Sequence, residues 1–221
     1  MQRIPEPELM EDPAQALAYH QADFSVPHGE RLKVFRRLMP GFTPDGDVLD
    51  IGCGSGDVLL RFARLWPAAR FTGVDGSAAM LALAAADIAR DAALACRIEL
   101  VQAIVPSPAV PRRAWQLVMS HSLLHQLHRP EVLWRTIREH AGPGCQVFVA
   151  DLRRPPTAEE AARIVAAESA HEPEVLRRDY YNSLCAAFEV DEVRAQLEAA
   201  GLGKLIVAPE GAHHLMIYGR I

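Results

Sequence analysis

The residues with the most chemical content lie in one short segment, Asp50-Ile51-Gly52-Cys53-Gly54-Ser55-Gly56. The apolar run from Val48 to Ile51 is typical of a buried parallel strand, and Asp57 to Trp66 has the pattern of a helix. Glycines between a strand and a helix let a ligand approach the backbone closely, and the amides at the helix N-terminus then face that ligand. The segment therefore predicts a ligand-binding turn at the carboxyl edge of a sheet.

The spacing of the glycines distinguishes between cofactors. A dinucleotide fingerprint, GxGxxG, would place its third glycine at position 57, where this chain has Asp57, and the third glycine here is Gly56. A carboxylate such as Asp50 beside the turn disfavours phosphates and suits the ammonium group of an amino-acid moiety. A nicotinamide-dependent oxidoreductase is thus the less favoured alternative.

A second carboxylate follows the next predicted strand, Phe71 to Val74. Asp75 ends that strand, and its two oxygens suit the two hydroxyls of a ribose. Gly76 and Ser77 then lead into a helix, and Ser77 is equally suited to be the N-cap of that helix.

Together with the segment from Trp115 to Leu127, these motifs resemble the class I S-adenosylmethionine-dependent methyltransferase family over Val48 to Asp151. The resemblance implies S-adenosylmethionine as cofactor and methyl transfer by direct in-line displacement. It places the cofactor contacts at ten residues: Asp50, Gly52, Cys53, Gly54, Gly56, Asp75, Gly76, Gln102, Ala103 and Ser120. Gln102 and Gln116 stand where the family usually has acidic residues, so a non-catalytic cofactor-binding subunit that regulates a partner remains an alternative.

Methyl transfer requires alignment of the acceptor and exclusion of water, and a base only where the acceptor carries a proton. The candidate catalytic residues are His121, His125 and Tyr180, although His125 is also placed to hold its loop. The spacing of His121, His125 and His128 would suit a metal on a helix, but the segment begins as a strand end and no Cys or carboxylate completes the ligand set. We therefore predict no metal.

Candidate substrate contacts fall in the N-terminal region, after the fifth strand, in a later insert and near the C-terminus. They are Tyr19, Phe24, His28, Arg153, Arg154, Tyr181, Asn182 and His214. Of the pair His213-His214, only one can face the site if the segment is a strand. The arginines suit a carboxylate or phosphate, so we expect a small-molecule methyl acceptor that is polar and anionic.

Strand-like and helical segments alternate from Val48 to Asp151, which predicts a Rossmann-like doubly wound sheet with helices on both faces. Leu205 to Pro209 and His214 to Gly219 predict an antiparallel C-terminal hairpin. Residues 1–44 are expected to form an arm and a helical lid, with predicted helices at 13–24 and 29–38. Residues 45–221 form the methyltransferase domain, with a helical insert at about 155–188.

Composition limits the class of protein. The chain has 221 residues, 50% of them hydrophobic, and a net charge of -5, which fits a globular core and disfavours a nucleic-acid partner. Four cysteines without metal-ligand spacing indicate a reducing compartment. No signal peptide or membrane span is recognisable, so we expect a cytoplasmic monomer or homodimer.

Overall fold

A single seven-stranded sheet forms the centre of the molecule. The computed structural model describes residues 1–22 and 25–221, and describes residues 25–28 only as part of a helix. In chain order the strands are β1 (Asp47–Ile51), β2 (Arg70–Asp75), β3 (Ile98–Gln102), β4 (Trp115–His121), β5 (Gln146–Leu152), β6 (Ile206–Glu210) and β7 (His214–Arg220). Their order in the sheet is β3-β2-β1-β4-β5-β7-β6.

The first five strands are parallel, and β7 runs antiparallel to both β5 and β6. The predicted doubly wound sheet with an antiparallel C-terminal hairpin is therefore confirmed. The strand order reverses between β1 and β4, and in such sheets the crevice at the carboxyl ends of these strands is where ligands bind.

Helices cover both faces of the sheet. They are α1 (Pro13–Gln21), α2 (Ser25–Leu38), α3 (Asp57–Leu65), α4 (Ala78–Ala89), α5 (Ala92–Ala95), α6 (Glu131–His140), α7 (Ala158–Glu168), α8 (Glu174–Ala186) and α9 (Val190–Ala199), with a 3-10 turn at Leu124–Gln126. Because strand residues alternate between faces, Leu49 packs with Leu133 of α6 while Val48 packs with Phe62 of α3.

Three helix limits differ from the sequence-based expectation. The helix expected at 13–24 ends at Gln21, the helix expected from Gly29 begins at Ser25, and the helix expected after Ser77 is divided into α4 and α5. The division occurs at Asp91, whose side chain accepts a hydrogen bond from the Ala93 amide at 3.0 Å and caps α5. An acidic residue that caps a new helix interrupts an otherwise continuous alanine-rich pattern.

The residues before α1 form an extended arm, as expected from Pro5 and Pro7. The Ile4 amide donates to the Cys185 carbonyl on α8 at 3.0 Å, and the Ser77 hydroxyl donates to the Met10 carbonyl at 2.6 Å. The arm therefore crosses the carboxyl edge of the sheet from α8 to the start of α4. Among the described helices, none is both long enough and apolar enough to cross a bilayer.

Candidate active site

The glycine turn between β1 and α3 is built from left-handed backbone. Gly52, Gly54 and Gly56 have φ values of 74°, 54° and 84°. The amides of Gly52 and Cys53 both donate to the Val74 carbonyl, at 2.7 and 3.0 Å, which fastens the turn to β2. Gly56 is the N-cap of α3 and supplies no side chain, so the first amides of α3 remain open to the cleft.

Packing also requires glycine at these positions. A Cβ at Gly52 would lie 2.8 Å from Cδ2 of Leu123, and a Cβ at Gly56 would lie 3.1 Å from the Cβ of Ala84 on α4. The backbone conformation and the close neighbours therefore act together, and the turn keeps its backbone at the surface of the cleft.

Asp75 organises the opposite side of this cleft. Its Oδ2 accepts from the Gly54 amide and its Oδ1 from the Ser77 amide, both at 2.8 Å. Burial raises the pKa of Asp75, and these backbone hydrogen bonds act in the other direction. Each oxygen keeps a second lone pair, so the carboxylate can accept further hydrogen bonds from a ligand. Ser77 also caps α4, since its hydroxyl accepts from the Met80 amide at 3.2 Å.

Asp50 brings a second carboxylate to the cleft. It is 1% exposed, and its Oδ1 makes no hydrogen bond with the described residues and lies 4.0 Å from Nδ1 of His121. The His121 ring packs between Phe62 and Phe148, with centroid distances of 5.6 and 5.7 Å. A buried carboxylate oxygen without a hydrogen bond is costly unless a cationic or donor group meets it.

One wall of the cleft is apolar. It is formed by Ala103, Ile104, Val105, Leu123 and Leu127, with Leu9 and Met10 contributed by the arm. Ile104 keeps 68% of its surface exposed, which is unusual for a large hydrophobic side chain and leaves apolar area for a ring system.

The other proposed cofactor residues are divided in their placement. Ala103, Gly76 and Cys53 line the cleft, whereas Gln102 is exposed and does not line it. Burial raises the pKa of the Cys53 thiol well above its usual value, with Asp50 and Asp75 adding to the effect. Ser120 is fully buried and donates to the Ile51 carbonyl at 2.7 Å, so its hydroxyl joins β4 to β1 instead of lining the cleft.

His125 lies in a buried network next to the cleft. Its Nδ1 is 2.6 Å from Oδ1 of Asp151, and its Nε2 is 3.4 Å from Oε1 of Glu6 on the arm. Burial lowers the pKa of His125, but the carboxylates of Asp151 and Glu6 outweigh that effect and the net shift is upward. The Asp151 carboxylate also accepts from the Leu124 amide at 2.8 Å, so the network fixes the 3-10 turn on β5.

The three histidines considered for a metal face different partners. His121 packs on aromatic rings, His125 contacts Asp151, and His128 Nε2 lies 2.7 Å from the Glu6 carbonyl. Across residues 1–22 and 25–221, no group of three or more His, Cys, Asp or Glu side chains is placed to hold a metal ion.

Tyr19 of α1 lines the cleft, and burial raises the pKa of its hydroxyl to about 12. Phe24 and the side chain of His28, which were also predicted to contact the substrate, lie outside the described residues.

The insert and the C-terminal hairpin meet at Tyr180. Its hydroxyl donates to Oε2 of Glu168 at 2.8 Å, and the same oxygen lies 3.1 Å from Nε2 of His213. The rings of His213 and His214 stack with their centroids 4.5 Å apart. Burial lowers the pKa of His214 to about 2, with the charge of Arg31 next in effect, so this imidazole is neutral at physiological pH.

The remaining predicted substrate residues are placed less favourably. Arg154 is buried and donates to Met1 and Ala187 carbonyls and to the carboxylates of Glu189 and Glu192. Arg153 donates from its side chain to the Ala212 carbonyl at 2.5 Å. Tyr181 is half-buried beside Cys185, and Asn182 is exposed on α8.

Comparisons with known proteins agree with this geometry. The family model described as "Methyltransferase domain" matches residues 48–144, which contain the glycine turn, Asp75 and β4. A S-adenosylmethionine-dependent methyltransferase from Aquifex aeolicus has the same fold, with a TM-score of 0.65, 17% identity and coverage of 94% of this chain and 97% of that one. Residues 48–144 are therefore similar to methyltransferase domains, and the chain has the fold of an S-adenosylmethionine-dependent methyltransferase.

Two further similarities are to methyltransferases. Human N-acetylserotonin methyltransferase, in complex with S-adenosylmethionine, gives a TM-score of 0.64 at 17% identity, covering 95% of this chain and 56% of that one. A trans-aconitate 2-methyltransferase of Streptomyces avermitilis is 54% identical over 39 residues, 18% of this chain. The matched segment spans only 14% of the length of that curated relative.

Gln116 departs from the pattern of the family that the sequence resembles, and the structure gives this residue a role. Its Oε1 accepts from the amides of Asp45 and Gly46, both at 2.9 Å, and its Nε2 donates to Oδ1 of Asp45 at 2.8 Å. Gln116 therefore fixes the turn that leads into β1 and stands away from the cofactor cleft.

Sequence reasoning missed two features near this cleft. Glu6 and Glu8 of the arm reach the 3-10 turn and His128, and no spacing in the sequence indicates where an extended arm will lie. Arg31 was also missed, although a signal exists: it precedes Val34 and Phe35 by three and four residues and so shares their buried face of α2.

Proposed function

We propose that this methyltransferase transfers the methyl group of S-adenosylmethionine to a small-molecule acceptor by direct in-line displacement. The observation that carries the proposal is the convergence of the glycine turn and the two carboxylates, Asp50 and Asp75, on one cleft. The bond from sulfur to the methyl carbon breaks with its electron pair left on sulfur, while the acceptor forms the new bond to that carbon.

The residues of the cleft fit this cofactor. The buried Oδ1 of Asp50 suits the ammonium group of the methionine moiety, because it has no hydrogen-bond donor within the described chain. Asp75 is placed to accept from ribose hydroxyls, and Ile104 with its apolar neighbours suits the adenine ring. We retain Gly52, Cys53, Gly54, Gly56, Gly76 and Ala103 as further cofactor contacts.

Gln102 and Ser120 take lesser roles in the proposal. The exposed Gln102 is the last residue of β3 and pairs in register with Asp75, and the Ser120 hydroxyl is engaged with β1. They therefore act on the cofactor through the position of their strands and not through their side chains.

On the acceptor side, His121 and Tyr19 line the cleft and are proposed to position the substrate. His125 holds the arm and the 3-10 turn through Glu6 and Asp151, which makes it a positioning residue in this scheme. Tyr180 donates to Glu168, and Glu168 also contacts His213, so these three side chains join the insert to the C-terminal hairpin beside His214. Any proton released by the acceptor then passes to solvent or to His121.

Trans-aconitate is a sensible first acceptor to test, because a trans-aconitate 2-methyltransferase contains a segment similar to this chain. The assay measures S-adenosylhomocysteine release with a panel of small carboxylates, phenols and amines, each compared with a reaction lacking the acceptor. We expect release that depends on one acceptor class. S-adenosylhomocysteine binding without release on any acceptor would instead support a non-catalytic subunit.

The proposal extends to a reducing, cytoplasmic setting, since all four cysteines are free thiols and three of them are buried. Monomer and homodimer are both compatible with it.

A further inference from the structure

Arg31 is a buried arginine on the inner face of α2. It is 8% exposed and lies one turn before Phe35, whose ring contacts Phe148 of β5 at a centroid distance of 5.0 Å. The charge of Arg31 also interacts with Asp151, three residues beyond Phe148 on the same strand. Arg31 therefore lies at the carboxyl end of β5, on the side of the cleft where His121 packs against Phe148.

The Arg31 guanidinium makes no hydrogen bond or ion pair with any residue that the structure describes. Arg154 shows how unusual this is, because it is equally buried and is engaged by two carbonyls and two carboxylates. Arginine is almost never fully buried without partners, and an uncompensated buried charge is strongly unfavourable.

The two carboxylates that interact with the charge of Arg31, Asp151 and Glu210, already have closer partners. Asp151 contacts His125 at 2.6 Å, and Glu210 accepts from Arg37 at 2.6 Å. The five N–H donors of Arg31 are thus left without an acceptor among the described residues, and both carboxylates act on its charge only from beyond ion-pair distance.

The surroundings of Arg31 favour an organic anion. Tyr19, Tyr180, His213 and His214 all lie within its electrostatic reach, and they offer rings with polar edges. His214 is neutral, since burial, followed by the charges of Arg31, His213 and Arg153, lowers its pKa to about 2. The planar guanidinium of Arg31 matches a planar carboxylate through two parallel hydrogen bonds, and the neighbouring rings suit the organic part of such an anion.

Tyr19 connects the surroundings of Arg31 with the cofactor cleft, because it lines the cleft and its hydroxyl interacts electrostatically with Arg31. An acceptor held by Arg31 would therefore extend towards His121 and the glycine turn.

We propose that Arg31 is the substrate-binding residue that holds a carboxylate of the methyl acceptor, between α2, the insert and the C-terminal hairpin. This inference rests on the proposed function for its description of the ligand as the acceptor, and it names the acceptor class.

The test uses the full-length protein and its variants Arg31→Met and Arg31→Lys, with Arg36→Met as the matched control, since Arg36 is exposed on the same helix. Thermal unfolding midpoints are measured with acetate, succinate, citrate, benzoate and trans-aconitate, with the corresponding amides as neutral counterparts, at constant ionic strength. A carboxylate at about ten times its Kd should raise the midpoint of wild type and Arg36→Met by about 3 to 6 °C.

We expect Arg31→Met to lose this response, Arg31→Lys to keep a smaller one, and the amides to have no effect. Without added anion, Arg31→Met should unfold at the same temperature as wild type or a higher one, because an uncompensated charge has been removed. A carboxylate response that is equal in wild type and Arg31→Met, no response to any carboxylate, a response to inorganic phosphate alone, or a marked fall in the midpoint of Arg31→Met would each overturn the proposal.

S-adenosylhomocysteine binding is measured on the same samples by calorimetry. Intact S-adenosylhomocysteine binding with no Arg31-dependent carboxylate response would reject this inference and leave the proposed function standing. A carboxylate response without S-adenosylhomocysteine binding would reject the proposed function and leave Arg31 as an anion site.

Discussion

At the scale of single residues, Asp75 has the most direct influence on the cleft. Both of its oxygens accept backbone amides, one from the glycine turn and one from the start of α4. The same carboxylate is therefore placed to hold the turn and to meet a ribose.

We predict that Asp75→Ala weakens S-adenosylhomocysteine binding by about 1 to 3 kcal/mol, the scale of a lost charged hydrogen bond. This corresponds to a Kd raised about 5- to 150-fold in isothermal titration calorimetry. Asp75→Asn should lie in between, because its amide oxygen still accepts. Glu99→Gln is the control, since Glu99 is exposed on β3 and pairs with Arg113. An unchanged Kd for Asp75→Ala would remove Asp75 from the site.

His125 gives a prediction on pH, because its pKa is raised by Asp151 and Glu6 against the opposing effect of burial. A pKa raised above the unfolded value of about 6.5 stabilises the fold fully below that pH, and the stabilisation is lost as pH rises through the folded pKa. Relative to His125→Gln, wild type should therefore lose stability from about pH 6.5 upward in thermal unfolding.

His140→Gln is the matched control with the opposite sign. Burial, together with Arg112, lowers the pKa of His140, so wild type should lose stability relative to this variant as pH falls below about 6.5. If the unfolding midpoints of wild type and His125→Gln change equally with pH over this range, the pKa of His125 is not raised in the folded protein.

The predicted site residues come together in the structure where a local motif sets the backbone, and several do not where tertiary contacts decide their placement. Asp50, Gly52, Gly54, Gly56 and Asp75 meet in one cleft because a strand–turn–helix unit fixes them locally. The hydroxyl of Ser120 and the guanidiniums of Arg154 and Arg31 depend on neighbours distant in sequence. Spacing alone could not show that Arg154 is engaged and Arg31 is not.

At the scale of elements, the N-terminal arm completes the cleft wall. Arg3 fastens it, donating to the carbonyls of His125 and Leu127 at 2.9 Å each and to that of Ala186, with its guanidinium 4.0 Å from the centre of the Phe188 ring. The arm residues next to the cofactor cleft therefore depend on an anchor outside it.

We predict that Arg3→Met loosens the arm and speeds cleavage after Glu8 or Glu11 by a glutamate-specific protease, because extended termini resist proteolysis only when they are held down. S-adenosylhomocysteine should protect wild type, since Glu8 lines the cleft. Arg90→Met, at an exposed position after α4, provides the control. Equal cleavage rates in Arg3→Met and wild type would show that the arm is held by other contacts.

The order of elements followed from periodicity, but several of their limits did not. Parallel strands were recognisable as short apolar runs, and their pairing followed from the alternation with helices. The start of α2 and the gap between α4 and α5 depend on capping and on packing of the α2 face, which periodicity in an alanine-rich stretch does not resolve.

At the scale of the whole molecule, the cleft lies where the strand order reverses between β1 and β4. The arm covers one side of it with Glu8, Leu9 and Met10, and Tyr19 of α1 also lines it. The residues that match the methyltransferase-domain model, 48–144, contain the glycine turn and Asp75, whereas Arg31, the proposed acceptor-binding residue, lies outside that range.

The central claim is that the cleft binds S-adenosylmethionine and not a dinucleotide. Isothermal titration calorimetry of the full-length protein with S-adenosylmethionine, S-adenosylhomocysteine and NADH tests it most directly. We predict saturable binding of the first two at one site per chain and no detectable heat with NADH, since Asp57 replaces the third glycine of a dinucleotide turn. Tight NADH binding without S-adenosylmethionine binding would contradict the account.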